Sequence, residues 1–276
     1  MNILVVGSGQ WAHFLNQRLG EIPGSLVKNV RGREIYDNSS SNSQSIQNQD
    51  LVVCATRPET QEMIIETLTK NTRRIWLEKP LGKSLEGCAK IISTLTQSQT
   101  YGLVNLPWNY SNIWQEFKKL DIPFCEVDLL EITREGVVGA RDYMSIIEDY
   151  GTHDLALILD WLKSESQNPV GITRELLSET EFKMLICNTR VSWNWKRTVS
   201  SKGMIWNVTL RNKDRIQIDF YKKCIARNGV LIELGTPKGD NIDAFLEVLF
   251  SDSKKAMNDN LNIALNAKEI ITTVTS

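Results

Sequence analysis

Asn2-Ile3-Leu4-Val5-Val6 is a short apolar, β-branched run that passes straight into Gly7-Ser8-Gly9-Gln10-Trp11-Ala12 and then into a segment of helical period. That order admits few folds. Trp11, Phe14, Leu15 and Leu19 fall at i, i+3, i+4 and i+8, with Asn16, Gln17 and Arg18 on the other side, so a helix is predicted to open at the glycine turn. A strand, a G-x-G-x-x-G/A turn and a helix together form the fingerprint of a dinucleotide-binding site. Gly7 makes the tight turn, Gly9 lets the backbone approach a pyrophosphate, and Ala12 lets the helix pack close to the strand. Ser8, Gln10 and Trp11 complete the turn at the electropositive start of the helix.

The following segments keep strands and helices in alternation. Ser25 to Val30 reads as a second strand, Leu51-Val52-Val53-Cys54-Ala55 as a buried third, Ile75-Trp76-Leu77 as a fourth and Tyr101 to Leu106 as a fifth. Helices are predicted from Pro58 to Leu68 and, capped by Ser84, through Leu95. This alternation over the first ~120 residues predicts a parallel sheet and a Rossmann-like domain. Open sheets of this kind bind ligands at the carboxyl ends of their strands, so Thr56, Arg57 and Pro58 are expected to line the cofactor cleft. An NAD site places an acidic residue at the end of the second strand, and this chain has Arg31-Gly32-Arg33 there instead. Arg31 and Arg33 suit a 2′-phosphate held by charge-assisted, bidentate contacts. The expected cofactor is therefore NADP(H), with NAD(H) as the alternative. Asp37 to Gln49 is a polar run in which Ile46 is the only apolar residue, and it reads as a flexible loop where a helix is usual.

The fourth strand ends in Glu78-Lys79-Pro80-Leu81-Gly82. Proline stops the strand and restricts the residue before it. Lys79 is thus a cation fixed at a strand carboxyl end, with Glu78 beside it, and both are assigned to the site.

Beyond residue 121 the pattern changes. Phe124 to Arg134 is strand-like and Tyr143 to Lys163 helical. Four long strands are then predicted: Phe182 to Trp195, Met204 to Arg211, Arg215 to Tyr221 and Ala226 to Leu234. Asn212-Lys213-Asp214 and Arg227-Asn228-Gly229 suit antiparallel turns. A last helix, Asn260 to Val274, has Lys268 interrupting its apolar stripe. The fold class is α/β: an amino-terminal Rossmann-like domain, 1–121, and a carboxy-terminal α+β domain, 122–276, with an open, mostly antiparallel sheet. Trp108, Tyr110, Trp193, Trp195 and Trp206 are aromatic residues able to stack on a ligand face, although such residues in strands more often belong to a core.

Composition excludes several functions. A chain of 276 residues with 41% hydrophobic and 24% charged residues has the makeup of an ordinary globular protein. A net charge of −1 gives no reason to expect nucleic acid or an anionic membrane as partner. The five cysteines, Cys54, Cys88, Cys125, Cys187 and Cys224, are odd in number and form no C-x-x-C pair, as expected of reduced thiols in the cytoplasm. With His13 and His153 the only histidines, no metal site is expected. No signal peptide and no apolar run of the ~20 residues needed to span a bilayer can be read.

Inside the Tyr143 segment lies Asp149-Tyr150-Gly151-Thr152-His153, whose aspartate and histidine are four apart and share a helix face. Gly151 costs such a helix ~1 kcal/mol and lets another group approach its backbone. Together with the Gly7 turn and Glu78-Lys79-Pro80, this stretch resembles the Gfo/Idh/MocA family of NAD(P)-dependent oxidoreductases over nearly the whole chain. The resemblance implies an amino-terminal Rossmann domain, an open-sheet carboxy-terminal domain, and Lys79, Asp149 and His153 at the reacting carbon. It also implies a sugar, sugar nucleotide or cyclic polyol as substrate and a homo-oligomer, dimer or tetramer. Gln61 stands where many relatives carry a histidine.

Hydride transfer to or from a carbon bearing oxygen needs a proton donor or acceptor at that oxygen and positive charge to stabilise an alkoxide-like state. His153 titrates nearest neutrality and is assigned the proton, Lys79 the charge and Asp149 the orientation of the imidazole. The lysine and histidine roles are interchangeable on this evidence. An imine or C=C reductase, and a cofactor-binding protein without turnover, are the alternative functions.

Overall fold

Five parallel strands carry the turns singled out above. β1 (Asn2–Val6), β2 (Leu26–Val30), β3 (Leu51–Cys54), β4 (Arg74–Leu77) and β5 (Tyr101–Val104) lie in the order β2-β1-β3-β4-β5. The strand order reverses between β1 and β3, where such sheets open a ligand crevice. The computed structural model describes residues 1–36, 48–70, 72–137, 144–164, 172–178, 181–198, 202–235 and 239–275. Most of the polar run expected as a loop, and the first residue of the expected Tyr143 helix, fall outside these.

The chain divides into two units. The first comprises Met1–Leu106 and Phe245–Glu269, the second Pro107–Ala244 and Ile270–Ser276. In the first, α1 (Gln10–Gly20), α3 (Pro58–Thr69) and α4 (Leu85–Gln97) accompany the sheet, with a single turn, α2 (Gly32–Tyr36), after β2. β1, β3, β4 and β5 are buried almost throughout, as strands covered on both faces must be. The buried stripe of α1 is Ala12, Leu15 and Leu19. Trp11 and Phe14, expected on that stripe, instead stack on each other at 5.0 Å, and Phe14 is 45% exposed.

β5 is an edge strand, and the chain returns to cover it. α7 (Asn241–Phe250) and the first part of α8 (Lys254–Thr275) belong to this unit. Phe245 packs on Trp76 at 4.7 Å, and the Tyr101 hydroxyl donates to the Val248 carbonyl at 3.2 Å. The Asn260 amide acts as a substitute strand: its Oδ1 accepts from the Val104 N–H at 2.7 Å and its Nδ2 donates to the Val104 carbonyl at 3.1 Å. Both backbone groups are buried, so each needs a partner.

The second unit is built on eight strands in the order β13-β12-β11-β10-β6-β9-β8-β7. They are β6 (Val127–Val137), β7 (Thr173–Leu177), β8 (Glu181–Ile186), β9 (Thr189–Thr198), β10 (Gly203–Leu210), β11 (Arg215–Asp219), β12 (Cys224–Arg227) and β13 (Val230–Ile232). All neighbours are antiparallel except β6 and β9. The long strand expected from Phe182 to Trp195 is a hairpin, β8 to β9. It turns at Cys187 and Asn188, which have φ of 49° and 67°. Positive φ at both positions matches the twist of the paired strands. The strand expected from Ala226 to Leu234 is likewise a hairpin, turning at Asn228-Gly229.

Trp193, Trp195 and Trp206 point to the buried face of this sheet. The opposite face carries Glu131, Arg190, Asn194, Lys196 and Gln217. The three tryptophans are core. α5 (Asn112–Lys118) and α6 (Thr152–Ser164) meet through the Trp114 indole and the Lys118 ammonium, both on the Asp160 carboxylate, at 2.7 and 3.0 Å.

Replacing Asn260 by alanine orphans a buried donor and a buried acceptor, each worth ~1–3 kcal/mol when left unsatisfied. Chemical denaturation of Asn260→Ala should show a loss of about 2–6 kcal/mol on that basis; a loss below ~1 kcal/mol would refute this account of the edge.

Candidate functional site

The backbone ladder of the first sheet runs one residue past four of its five strands. Gly7 N–H donates to Val30, Ala55 N–H to Val6, Glu78 N–H to Cys54 and Asn105 N–H to Leu77, at 2.7–3.2 Å. The glycine turn, the loop after β3 and the Glu78 turn are therefore held side by side. Gly7 has φ +154°, and a Cβ there would collide with the Ala55 carbonyl and lie 3.0 Å from the Ala12 Cβ. Only glycine fits. At Gly9 the opposite holds: no described atom lies within 4 Å of the Cβ position. Gly9 caps α1 without a side-chain bond, and the first turn carries no acid. Ser8, Gly9 and Gln10 are exposed. Free N–H groups and the positive end of the helix dipole thus open at a small residue, the arrangement a diphosphate needs.

The β2 end folds onto the same region. A Cβ on Gly32 would lie 2.7 Å from Thr60 and 3.3 Å from Thr56, so Arg31-Gly32-Arg33 packs directly on the Thr56-Arg57-Pro58 turn. Arg57 is the N-cap of α3 and Pro58 its first residue. Arg31, Arg33 and Arg57 are exposed. One expectation needs correcting here. An acid does reach the β2 end, because the Glu34 carboxylate turns back to accept from the Arg31 N–H at 3.4 Å. The signal was the acid three residues after Arg31, where a helix-capping carboxylate belongs.

Lys79 is half-buried, and the turn that holds it is tied down from both sides. The Lys79–Pro80 peptide is cis. Buried Gln61, on α3, donates to the Glu78 carbonyl at 2.8 Å and accepts from the Gly82 N–H at 3.3 Å, so one amide spans the turn. Glu62 accepts from the backbone N–H groups of Lys83 and Ser84, and any side chain at Gly87 would strike it. The Glu78 carboxylate is buried and accepts from the Trp76 indole at 3.0 Å and the Asn105 amide at 2.8 Å. Burial pushes its pKa up; Trp11, Lys79, Trp76 and Asn105 oppose that. The Trp11 indole nitrogen is buried, with no hydrogen bond of good geometry among the described residues. Sequence reasoning left Gln61, Glu62 and Asn105 without roles, since their partners lie 17 to 27 residues away.

In the second unit, the expected Tyr143 helix opens with a capping box. Ser145 N–H donates to the Glu148 carboxylate at 3.1 Å, and Glu148 N–H to the Ser145 hydroxyl at 3.3 Å. The S-x-x-E pattern was legible in the sequence. Ile147–Gly151 then forms a π turn before α6 begins at Thr152. Such turns widen a helix and recur at functional sites. The Thr152 hydroxyl donates to the Glu148 carbonyl at 2.6 Å. Gly151 leaves Ile147 and Trp195 room to approach, at 3.0 and 3.8 Å from its Cβ position. Asp149 and His153 are half-buried, and Asp154, next in sequence, is fully buried. Lys79 belongs to the first unit, Asp149 and His153 to the second.

Other candidates separate clearly. Trp108 and Tyr110 are half-buried, and Trp108 packs against Phe220 and Tyr221 at 5.6 and 5.5 Å. Burial pushes the Cys54 and Cys88 thiols up to about 12 and about 11, which makes them poor nucleophiles. Among the described residues no cluster of His, Cys, Asp or Glu is placed to hold a metal, and no helix is long and apolar enough to cross a membrane.

No sequence-family model and no curated protein matches the chain. Solved structures do. UDP-N-acetylglucosamine 3-dehydrogenase from Acidithiobacillus ferrooxidans superposes with a TM-score of 0.72 at 16% identity, covering 100% of this chain and 99% of that one. Aldose-aldose oxidoreductase from Caulobacter crescentus, solved with glycerol, gives 0.76 at 14% identity over 100% and 96%. A dehydrogenase from Clostridium difficile gives 0.70 at 14% identity over 100% and 98%. At such identities the likeness is one of architecture, and over its full length the chain has the fold of the Gfo/Idh/MocA-type oxidoreductases.

Proposed function

We propose that the protein is a nicotinamide-dependent oxidoreductase that transfers a hydride between the cofactor and a hydroxyl or carbonyl carbon of a sugar, sugar nucleotide or cyclic polyol. The observation that carries this reading is the turn at Gly7 to Ala12, closed at Gly7 and open at the uncapped start of α1. The substrate class draws support from solved proteins of the same fold that act on UDP-N-acetylglucosamine and on aldoses. A nicotinamide cofactor would supply the hydride. Gly7, Ser8, Gly9, Gln10, Trp11 and Ala12 would hold its diphosphate, with Thr56, Arg57, Pro58, Glu78 and Lys79 along the cleft.

His153 exchanges the proton at the substrate oxygen, Lys79 stabilises the charge that develops there, and Asp149 orients the imidazole. The buried network under Lys79 supports this assignment, because a turn held at Glu78 and Gly82 by one amide places its cation with little freedom. Free thiols, two of them fully buried, suit a reducing compartment such as the cytoplasm. Assembly into a dimer or tetramer rests on the family resemblance alone.

Arg31 and Arg33 favour NADP(H), whereas Glu34 at the same strand end favours the ribose hydroxyls of NAD(H). A hydrogen bond to a charged group contributes ~1.5–3 kcal/mol, so Arg31→Ala should weaken NADP(H) binding about ten- to a hundredfold and leave NAD(H) nearly unchanged. Titration of both cofactors by fluorescence decides it. Tighter NAD(H) binding in the wild type, lost in Glu34→Ala, would reverse the assignment.

With a substrate identified from a panel of sugars, polyols and imines, His153→Ala and Lys79→Ala should each lower kcat by roughly 10²–10⁴-fold, the usual contribution of acid-base groups. Cofactor affinity should fall far less than kcat, and Asp149→Asn should be milder. Near-normal turnover in both alanine variants would refute the assignment of the trio.

Gln61→Ala should leave cofactor affinity close to normal and reduce kcat, since it frees the turn carrying Lys79 without touching the glycine turn. Gln61→Glu retains an acceptor for Gly82 but loses the donor to Glu78. Unaltered kcat in both would show that the turn holds without the amide.

A further inference from the structure

Arg134 lies in the middle of a patch of six side chains on the buried face of the second sheet. Across the ladder it pairs with Met204 on β10 and Trp195 on β9; the adjacent row is Trp206, Ile132 and Trp193. All six are buried. A guanidinium in such surroundings needs an anion, and Asp154 of α6 supplies it: Arg134 Nε lies 3.0 Å from each carboxylate oxygen. Asp154 is 0% exposed and Arg134 6%. Burial pushes the Asp154 carboxyl up, while Arg134 and the Trp206 and Trp193 indoles act in the other direction.

The same arginine holds a second point of the helix. Its guanidinium carbon is 5.8 Å from the centre of the Tyr150 ring. The tyrosine hydroxyl end in turn covers Gly136 on the strand that carries Arg134, where any Cβ would collide with it. Tyr150 comes three residues before His153, and Asp154 comes directly after it. Successive helical residues diverge by about 100°. Anchoring Asp154 into the sheet and Tyr150 over Gly136 therefore fixes the direction in which His153 leaves the helix.

Stability does not account for this arrangement. A buried ion pair is often matched or bettered by apolar residues of similar volume. Here it comes with further cost, because Arg134 Nη2 and the Trp195 indole nitrogen are buried without a hydrogen-bond partner among the described residues. We infer that Arg134 and Asp154 are positioning residues, which lock the rotation of the π turn and the start of α6 so that His153 and Asp149 keep one orientation. The inference rests on the role proposed for His153 and adds the device that holds it.

The chain has two histidines, and His13 is exposed on α1 in the other unit, so it serves as an internal control. In protein labelled with ¹⁵N-histidine, the imidazole nitrogen shifts and line widths of His153 should move in Arg134→Met/Asp154→Leu, while those of His13 stay fixed. The paired apolar replacement should fold, with a cooperative melt near that of the wild type. Arg134→Lys, which keeps the charge and loses the fork, should fall between the two. With a substrate available, kcat should drop about tenfold or more, since small displacements of catalytic groups are costly, with cofactor affinity unchanged. His153 signals identical to wild type in the folded double variant would overturn the inference. If that variant does not fold, Arg134→Lys carries the test, and unchanged His153 signals in it overturn the inference. Moved His153 signals in a protein that turns over no substrate would leave the inference standing and refute the proposed function.

Discussion

The parallel ladder of the first sheet continues beyond its strands, and the arrangement of this unit follows from that. Gly7, Ala55, Glu78 and Asn105 each donate a backbone N–H to the last residue of a neighbouring strand. Adjacent strands lie about 4.8 Å apart, so four turns distant in sequence become neighbours in one row. What each turn carries then follows from its place in the row. Gly7 must lack a side chain because the Ala55 carbonyl occupies that space, and Glu78 must find donors because its neighbours bury it. Sites built on such elements are more exact than sites on free loops.

Two sets of buried polar groups underlie the turns that bear the candidate residues. Gln61, Glu78 and Asn105 lie under the Lys79 turn; Arg134 and Asp154 lie under the His153 turn. Each group requires partners at fixed angles, which apolar packing does not. A buried polar network therefore tolerates fewer arrangements than the surrounding core and imposes its geometry on the backbone above it. Neither network is shaped like a simple stabilising device: burial keeps the Glu78 pKa raised, and Arg134 keeps a donor without a partner among the described residues.

The second sheet shows the same economy on a larger scale. One face is nearly continuous apolar surface, four of its side chains being Trp193, Trp195, Trp206 and Phe182, and the other carries charged and amide side chains such as Glu131, Arg190, Asn194, Lys196 and Gln217. Strict alternation along β8 and β10 keeps the two apart. Because one face is buried, a slip of one residue would turn every tryptophan outward, and this sets the register.

Sequence alone determined the order of elements in the first unit, the glycine turn, the Glu78-Lys79-Pro80 stop and the Asp149 to His153 spacing, because each depends on residues close together in the chain. Periods of two and 3.6, a proline, and a glycine that no other residue can replace are all local signals. It also showed capping patterns, at Ser84, at Ser145 and at Glu34, although only the first was recognised as such. It failed where a turn used unusual residues: Cys187-Asn188 reverses the chain as Asn228-Gly229 does, but only the second pair advertises it. Tertiary structure alone decided that Trp11 and Phe14 stack rather than join the stripe of α1, that Asn260 completes an edge 156 residues away, that Gln61 spans the Glu78 turn, and that Arg134 reaches both Tyr150 and Asp154. The reason is physical: a hydrogen bond or ion pair between distant residues depends on where the chain has been brought, and nothing in either local stretch encodes the other's position.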